Sequence, residues 1–132
     1  MMKQFMANKF NPKPLMITLL LNAPHGPEDS APQYQNKFPK VKAPRFPNYN
    51  YTSRDKHWIV RNTPPMNALR AKFTDVLHRK RLQTLLSVDD VVEDVYEMLK
   101  RTNELDNTYL MFSSDHGYHL GQFNQVTFFL FP

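Results

Sequence analysis

At 132 residues, 41% of them hydrophobic and only 3 of them Gly, the chain is about one domain long and apolar enough to bury a core, which excludes a disordered polymer. Its 17 Lys and Arg against 12 Asp and Glu give a net charge of +5, which favours acidic partners such as nucleic acid, anionic membrane or sulfated glycan. The absence of cysteine excludes a disulfide framework, a thiolate metal site and a cysteine nucleophile within these residues.

Lys3, Lys9 and Lys13 precede the apolar run Pro14-Leu-Met-Ile-Thr-Leu-Leu-Leu21. Basic residues before an apolar run can mark a signal peptide, but this run is short for one and far too short to span a membrane. A continuous Leu/Ile run between prolines instead predicts a parallel strand buried on both faces. Residues 23–65 hold most of the 11 prolines and several aromatics, so they predict a long irregular arm. From Lys37 to Arg61 its cations, Lys37, Lys40, Lys42, Arg45, Arg54, Lys56 and Arg61, face only Asp55, and the interleaved aromatics suit stacking on sugars or bases. A solvated basic loop is the plainer reading of the same residues. Asn50-Tyr51-Thr52 is a glycosylation sequon in this arm.

From Ala68 helix formers take over, and Leu82, Leu85, Val88, Val92, Val95 and Leu99 recur at three- and four-residue steps, predicting an apolar face that packs on a sheet. Asp89, Asp90, Glu93, Asp94 and Glu97 fall opposite, as a solvated face, and His78 reads as a surface residue. Ser87 and Asp90 resemble a capping box, so either one helix or two meeting near Ser87 fits. Asn103 suits a left-handed cap, and Thr108–Ser113 predicts a second short strand. The result is an α/β reading: a parallel β-α-β unit with a long irregular arm. A right-handed crossover brings both strand ends to one rim, so Pro24-His25-Gly26-Pro27 faces Asp115-His116-Gly117. A carboxylate beside an imidazole, then a glycine for the turn, is a candidate metal pair; a strand ending in a polar turn is the alternative.

Four blocks of residues, in order along the chain, resemble the sulfatase family. They are Ala23-Pro-His25-Gly-Pro-Glu-Asp-Ser-Ala-Pro-Gln33, Asp55-Lys56-His57-Trp58, Arg79-Lys-Arg-Leu-Gln-Thr-Leu-Leu-Ser-Val-Asp-Asp90 and Ser114-Asp115-His116-Gly-Tyr-His119-Leu-Gly-Gln-Phe123. The likeness runs over about residues 12–123 and is nearest to the extracellular heparan sulfate 6-O-endosulfatases, with the lysosomal N-acetylglucosamine-6-sulfatases a near second. It implies part of an alkaline-phosphatase-like α/β domain that hydrolyses sulfate esters with one calcium ion. By match to the family motif, Asp115 and His116 are calcium ligands, and His25 lies near the ester oxygen, where it hydrogen-bonds sulfate or protonates the departing hydroxyl. His119, Lys56 and His57 are implied sulfate or sugar contacts, a packed aromatic corner being the alternative for His57 and Trp58. The implied partner is 6-O-sulfated glycosaminoglycan, heparan sulfate above all, and the implied location is the secretory pathway: cell surface, extracellular space, Golgi or lysosome.

The departures from the family are equally specific. Members carry Cys/Ser-x-Pro/Ala-x-Arg, whose first residue becomes the formylglycine nucleophile, and no such motif occurs here; Ser30-Ala31-Pro32-Gln33-Tyr34 lacks the arginine. The paired aspartates that complete the calcium site are missing too. Residues 124–132, Asn-Gln-Val-Thr-Phe-Phe-Leu-Phe-Pro, form an atypical apolar tail that reads as a broken gene model. The chain is therefore expected to be an internal segment of a catalytic domain, inactive by itself. A non-catalytic binder of sulfated glycan, or a pseudogene product, is the other reading; nucleic-acid binding has no recognition motif behind it.

Overall fold

The computed structural model describes residues 14–126. The chain is organised by one long helix and by an arm strapped along it. A short helix α1 (Trp58–Arg61) precedes the long helix α2 (Ala68–Arg101), and single 3-10 turns cover Pro32–Tyr34 and Leu105–Asn107. The sequence of α2 contains neither proline nor glycine, so nothing interrupts its hydrogen-bond ladder. Asn67 starts the helix by accepting the Arg70 amide at 2.9 Å. Lys100 and Arg101 occupy the last turn, opposing the dipole, and Asn103 turns the chain away at φ 56°. Of the two arrangements open at Ser87, the continuous helix is the one found. Inside it the amides near Ser87 already have carbonyl partners one turn back, so no capping box is needed.

The strands predicted at Leu15–Leu21 and Thr108–Ser113 do not form among the described residues. Among the described residues only two isolated antiparallel bridges occur, Tyr49 with Gln122 and Leu120 with Val126. The physical reason is that neither apolar run finds a neighbour to complete its ladder: Leu20 is 90% exposed and Met111 89%. The predicted helix face changes with them. Without a sheet to cover them, Leu82, Leu85, Val88 and Val95 are half-buried and Val92 is exposed. The residues of α2 buried in its first half are Thr74, Leu77 and Thr84, on a neighbouring face that the arm covers; Met98 and Leu99 are buried at its end.

The arm runs antiparallel to α2, held by the helix's own side chains. Tyr34 donates its hydroxyl to the Asp90 carboxylate at 2.7 and 2.8 Å. Gln83 donates to the Gln35 and Lys37 carbonyls, each at 2.8 Å, and Arg79 to the Val41 carbonyl at 3.0 Å. Asp75 accepts the Ala43 amide at 3.0 Å and pairs with Arg45 at 2.6 Å. Arg45 also lies over the Tyr49 ring, 4.1 Å from its centroid, and Tyr49 shares a hydrogen bond of 2.9 Å with the fully buried Thr74. The small core beneath the arm joins Ala43, Leu77 and Leu120, with Tyr118 packed against it. His78, expected at the surface, is half-buried here, and burial pushes its pKa down.

Two outcomes follow from this strapping. Asp75→Ala leaves the buried Ala43 amide without an acceptor and Arg45 without a partner, so stability in urea falls by about 1–3 kcal/mol; an unchanged midpoint would show that Asp75 does not hold the arm. The Asp90 bond pushes the Tyr34 hydroxyl above its ordinary pKa of 10.0. A pKa raised on folding stabilises below the unfolded value, so the contribution is complete below pH 10.0 and disappears as the pH climbs through the elevated value. Tyr34→Phe should therefore lose stability at neutral pH and show a shallower alkaline decline than the native chain.

Candidate functional site

Asp115-His116-Gly117 winds into a turn held by its own bonds. The Asp115 Oδ1 accepts the His116 amide at 2.9 Å, and the Ser114 hydroxyl donates to the His116 carbonyl at 2.7 Å. The His116 Nδ1 lies 2.8 Å from the Gly117 carbonyl, which can only accept, so Nδ1 carries the proton. In the neutral ring the lone pair then sits on Nε2, and Nε2 is 3.5 Å from the Asp115 Oδ2. One free carboxylate oxygen and one free imidazole nitrogen thus lie side by side, both well exposed, with the tautomer that ligation requires.

His25 uses the same device. Its Nδ1 lies 2.7 Å from the Gly26 carbonyl, which leaves Nε2 free on an exposed ring. Arg81 brings the two turns together. It donates from a terminal nitrogen to the Pro24 carbonyl at 2.8 Å, while its guanidinium carbon stands 3.5 Å from the centroid of Tyr118, the residue between Gly117 and His119. Arg81 and Tyr118 were not among the candidate residues. Arg81 sits four residues after Leu77 and three before Thr84, and its place on the inward face of α2 shows only once that face is known from the fold.

The remaining candidates lie on segments stitched to the same stretch. Residues 120–124 join the arm: the Asn50 amide donates to the Gly121 carbonyl at 2.8 Å and the Phe123 amide to the Asn48 carbonyl at 2.7 Å. Asn124, 2% exposed, donates to the Thr52 hydroxyl at 2.9 Å and to the Thr63 carbonyl at 3.1 Å. Gly121 is required twice over: its φ of 104° is one that L side chains rarely adopt, and a Cβ there would collide with the Tyr49 ring and come within 2.8 Å of the Met66 side chain. Lys56 stands 5.4 Å from the Phe123 ring centroid, which ties it to the segment carrying His119. His57 caps α1, its Nδ1 accepting the Ile59 amide at 3.5 Å, and tilts against Trp58 at 5.8 Å between centroids; both rings are exposed, so they form no packed corner. His119 is exposed. The Asn50 side chain clamps Met66, accepting its amide at 2.6 Å and donating to its carbonyl at 3.3 Å. Asp55, beside Lys56, has its pKa lowered by the Ser53 hydroxyl.

Asp115 and His116 fit calcium as two donors rather than as a whole site. The ion takes six to eight ligands, mostly oxygens, and among the described residues no third His, Asp or Glu joins them.

A sulfatase family model matches residues 1–128, and on that match the chain belongs to the sulfatase family. Membership implies an alkaline-phosphatase-like α/β fold. It is 52% identical over 121 residues to the extracellular sulfatase SULF-1 homolog of Drosophila melanogaster, an alignment covering 91% of this chain and 11% of that protein. It is 46% identical over 121 residues to the N-acetylglucosamine-6-sulfatase of Homo sapiens, covering 91% of this chain and 22% of that enzyme. An arylsulfatase of Volvox carteri is 36% identical over 73 residues, covering 55% of this chain and 11% of that enzyme. The chain thus spans between 11% and 22% of the length of these relatives. No solved structure matches it.

The tautomers are directly measurable. Long-range proton–nitrogen NMR spectra should show His25 and His116 protonated at Nδ1 in their neutral forms; the Nε2–H tautomer at either ring would remove the free nitrogen on which its candidate role depends.

Proposed function

We propose that these residues form one wall of a sulfuric ester hydrolase site that acts on sulfated glycosaminoglycan, with 6-O-sulfated glucosamine of heparan sulfate as the substrate unit. The observation that carries this reading is the Arg81 bridge, which draws together the two turns matching the family's motif residues. Asp115 would offer a carboxylate oxygen and His116 its Nε2 to calcium, which when bound offsets the charge of the sulfate. His25 would meet the ester oxygen through Nε2, accepting or donating a proton there according to its charge state. His119, Lys56 and His57 would contact sulfate or sugar. Formylglycine, the family's nucleophile, has no cysteine precursor among these 132 residues and would belong to a longer protein of which they are a segment.

The same reading assigns the secretory pathway, ending at the cell surface, in the extracellular space, Golgi or lysosome. Among the described residues no helix is long and apolar enough to cross a membrane. Asn50 remains the proposed glycan acceptor: Met66 takes one of its two amide hydrogens and leaves the other on an exposed residue.

A second reading is a non-catalytic binder of sulfated glycan or a pseudogene product. What favours binding is the arm, where Lys37, Lys40 and Lys42 are exposed. Two assays separate the readings. The purified chain should not hydrolyse 4-methylumbelliferyl sulfate with or without calcium; turnover would overturn the assignment of the nucleophile elsewhere. On immobilised heparin, the hydrolase wall should gain retention when calcium is added and lose that gain in Asp115→Ala. Calcium-independent retention that falls in the Lys37, Lys40 and Lys42→Ala variant and persists in Asp115→Ala would instead support the binder.

A further inference from the structure

We propose that Arg81 is a positioning residue: its guanidinium, bonded at one edge to the Pro24 carbonyl and stacked by its face on the Tyr118 ring, sets the separation between the turn carrying His25 and the turn carrying Asp115, His116 and His119. The inference rests on the sulfatase reading for its purpose but not for its geometry. Tyr118 is anchored, because it packs on the core of Ala43, Leu77 and Leu120. The His25 turn is not. Its other hydrogen bonds are local, such as His25 to the Asn22 carbonyl at 2.8 Å and Asp29 to the Pro27 carbonyl at 2.8 Å. Among the described residues no other hydrogen bond ties residues 23–29 to residues 114–119.

Proline has no amide hydrogen, so the carbonyl of Pro24 is its one backbone polar group, and Arg81 satisfies it. Pro24 is bonded to His25, so a displacement of that carbonyl moves the imidazole. Arginine is required rather than any cation, because a planar fork can donate along its edge and stack with its face at once, whereas an ammonium is a compact point charge. Both recorded contacts of the guanidinium are with the two turns, so the role assigned to Arg81 is to act through them.

The chain has no cysteine, so Asn22→Cys with Gly117→Cys introduces the only two thiols for spin labels. Asn22 is exposed, and a Cβ at Gly117 meets nothing within 4 Å. Electron–electron double resonance between the labels should give a narrow distance distribution with Arg81 present. Arg81→Lys and Arg81→Ala should each widen it about twofold or more while circular dichroism shows α2 intact. Guanidinium at about 10 mM, far below the molar range that unfolds proteins, should narrow it again in Arg81→Ala but not in Arg81→Lys, where the ammonium fills the space. The proposal is overturned if the distribution is broad with Arg81 present, if Arg81→Lys keeps it narrow, or if guanidinium fails to narrow it in a folded Arg81→Ala chain. These distances are read without substrate or calcium. An Arg81-dependent separation alongside calcium-independent heparin retention would therefore overturn the hydrolase-wall reading and leave the clamp standing.

Discussion

A backbone without a ladder must find its hydrogen bonds elsewhere, and in this chain the long helix supplies them. Residues 23–65 form no strand among themselves, yet their carbonyls and amides cannot go unpaired where they pack. Gln83, Arg79 and Asp75 reach from successive turns of α2 to Gln35, Lys37, Val41 and Ala43, and Arg81 reaches to Pro24. Side chains spaced by about four residues, or roughly 6 Å along the axis, therefore act as the rungs that a neighbouring strand would otherwise provide. Each rung is a charged or amide group on an otherwise inward face, which explains why that face is polar and why the core beneath it is small.

The candidate site inherits its form from this arrangement. Two His-Gly pairs use the following carbonyl to hold a proton on Nδ1, so in the neutral rings the lone pair is on Nε2, free at His25 and beside the Asp115 carboxylate at His116. The turns are wound locally, and only their relative position needs tertiary structure. Tyr118, pressed on the core, gives one turn a fixed base, and the guanidinium of Arg81 transmits that base to the other. On the other side, the bonds of residues 120–124 to Asn48, Asn50, Thr52 and Thr63 bring Lys56 and His57 onto segments continuous with His119. The wall is open: His25, Asp115, His116 and His119 are all exposed.

The apolar segments Leu15–Leu21 and Tyr109–Phe112 carry the same message in hydrophobic terms. Tyr109 is 95% exposed and Phe112 83%, a contiguous apolar surface that a folded protein does not normally leave in water. Burial of an apolar strand depends on the strands beside it, because its main-chain groups must be paired before its side chains can leave water. The half-exposed stripe of Leu82, Leu85, Val88 and Val92 is the helical counterpart of those runs. An α/β domain of the sulfatase kind would cover all three surfaces at once.

What the sequence determined alone was local or compositional. Helix α2, its Asn103 exit and its solvated acidic face were legible because uninterrupted helix formers and a 3.6-residue period act within one segment. The family was legible because its motif residues stand in order along the chain, and the absence of a cysteine nucleophile needed no coordinates. Of the predicted tail, residues 124–132, Asn124 is buried and bonded to Thr52 and Thr63, and the part beyond Val126 lies outside the described residues. Tertiary structure decided whatever depended on a partner distant in the chain. It left the apolar runs unpaired, buried Thr74, Leu77 and Thr84 of α2 and, of the predicted stripe, Leu99 alone, and drew Tyr34 to Asp90 across 56 residues. It also chose Arg81 from three neighbouring basic residues, since which of them meets a carbonyl and a ring is fixed by the turn of the helix against its surroundings and not by charge.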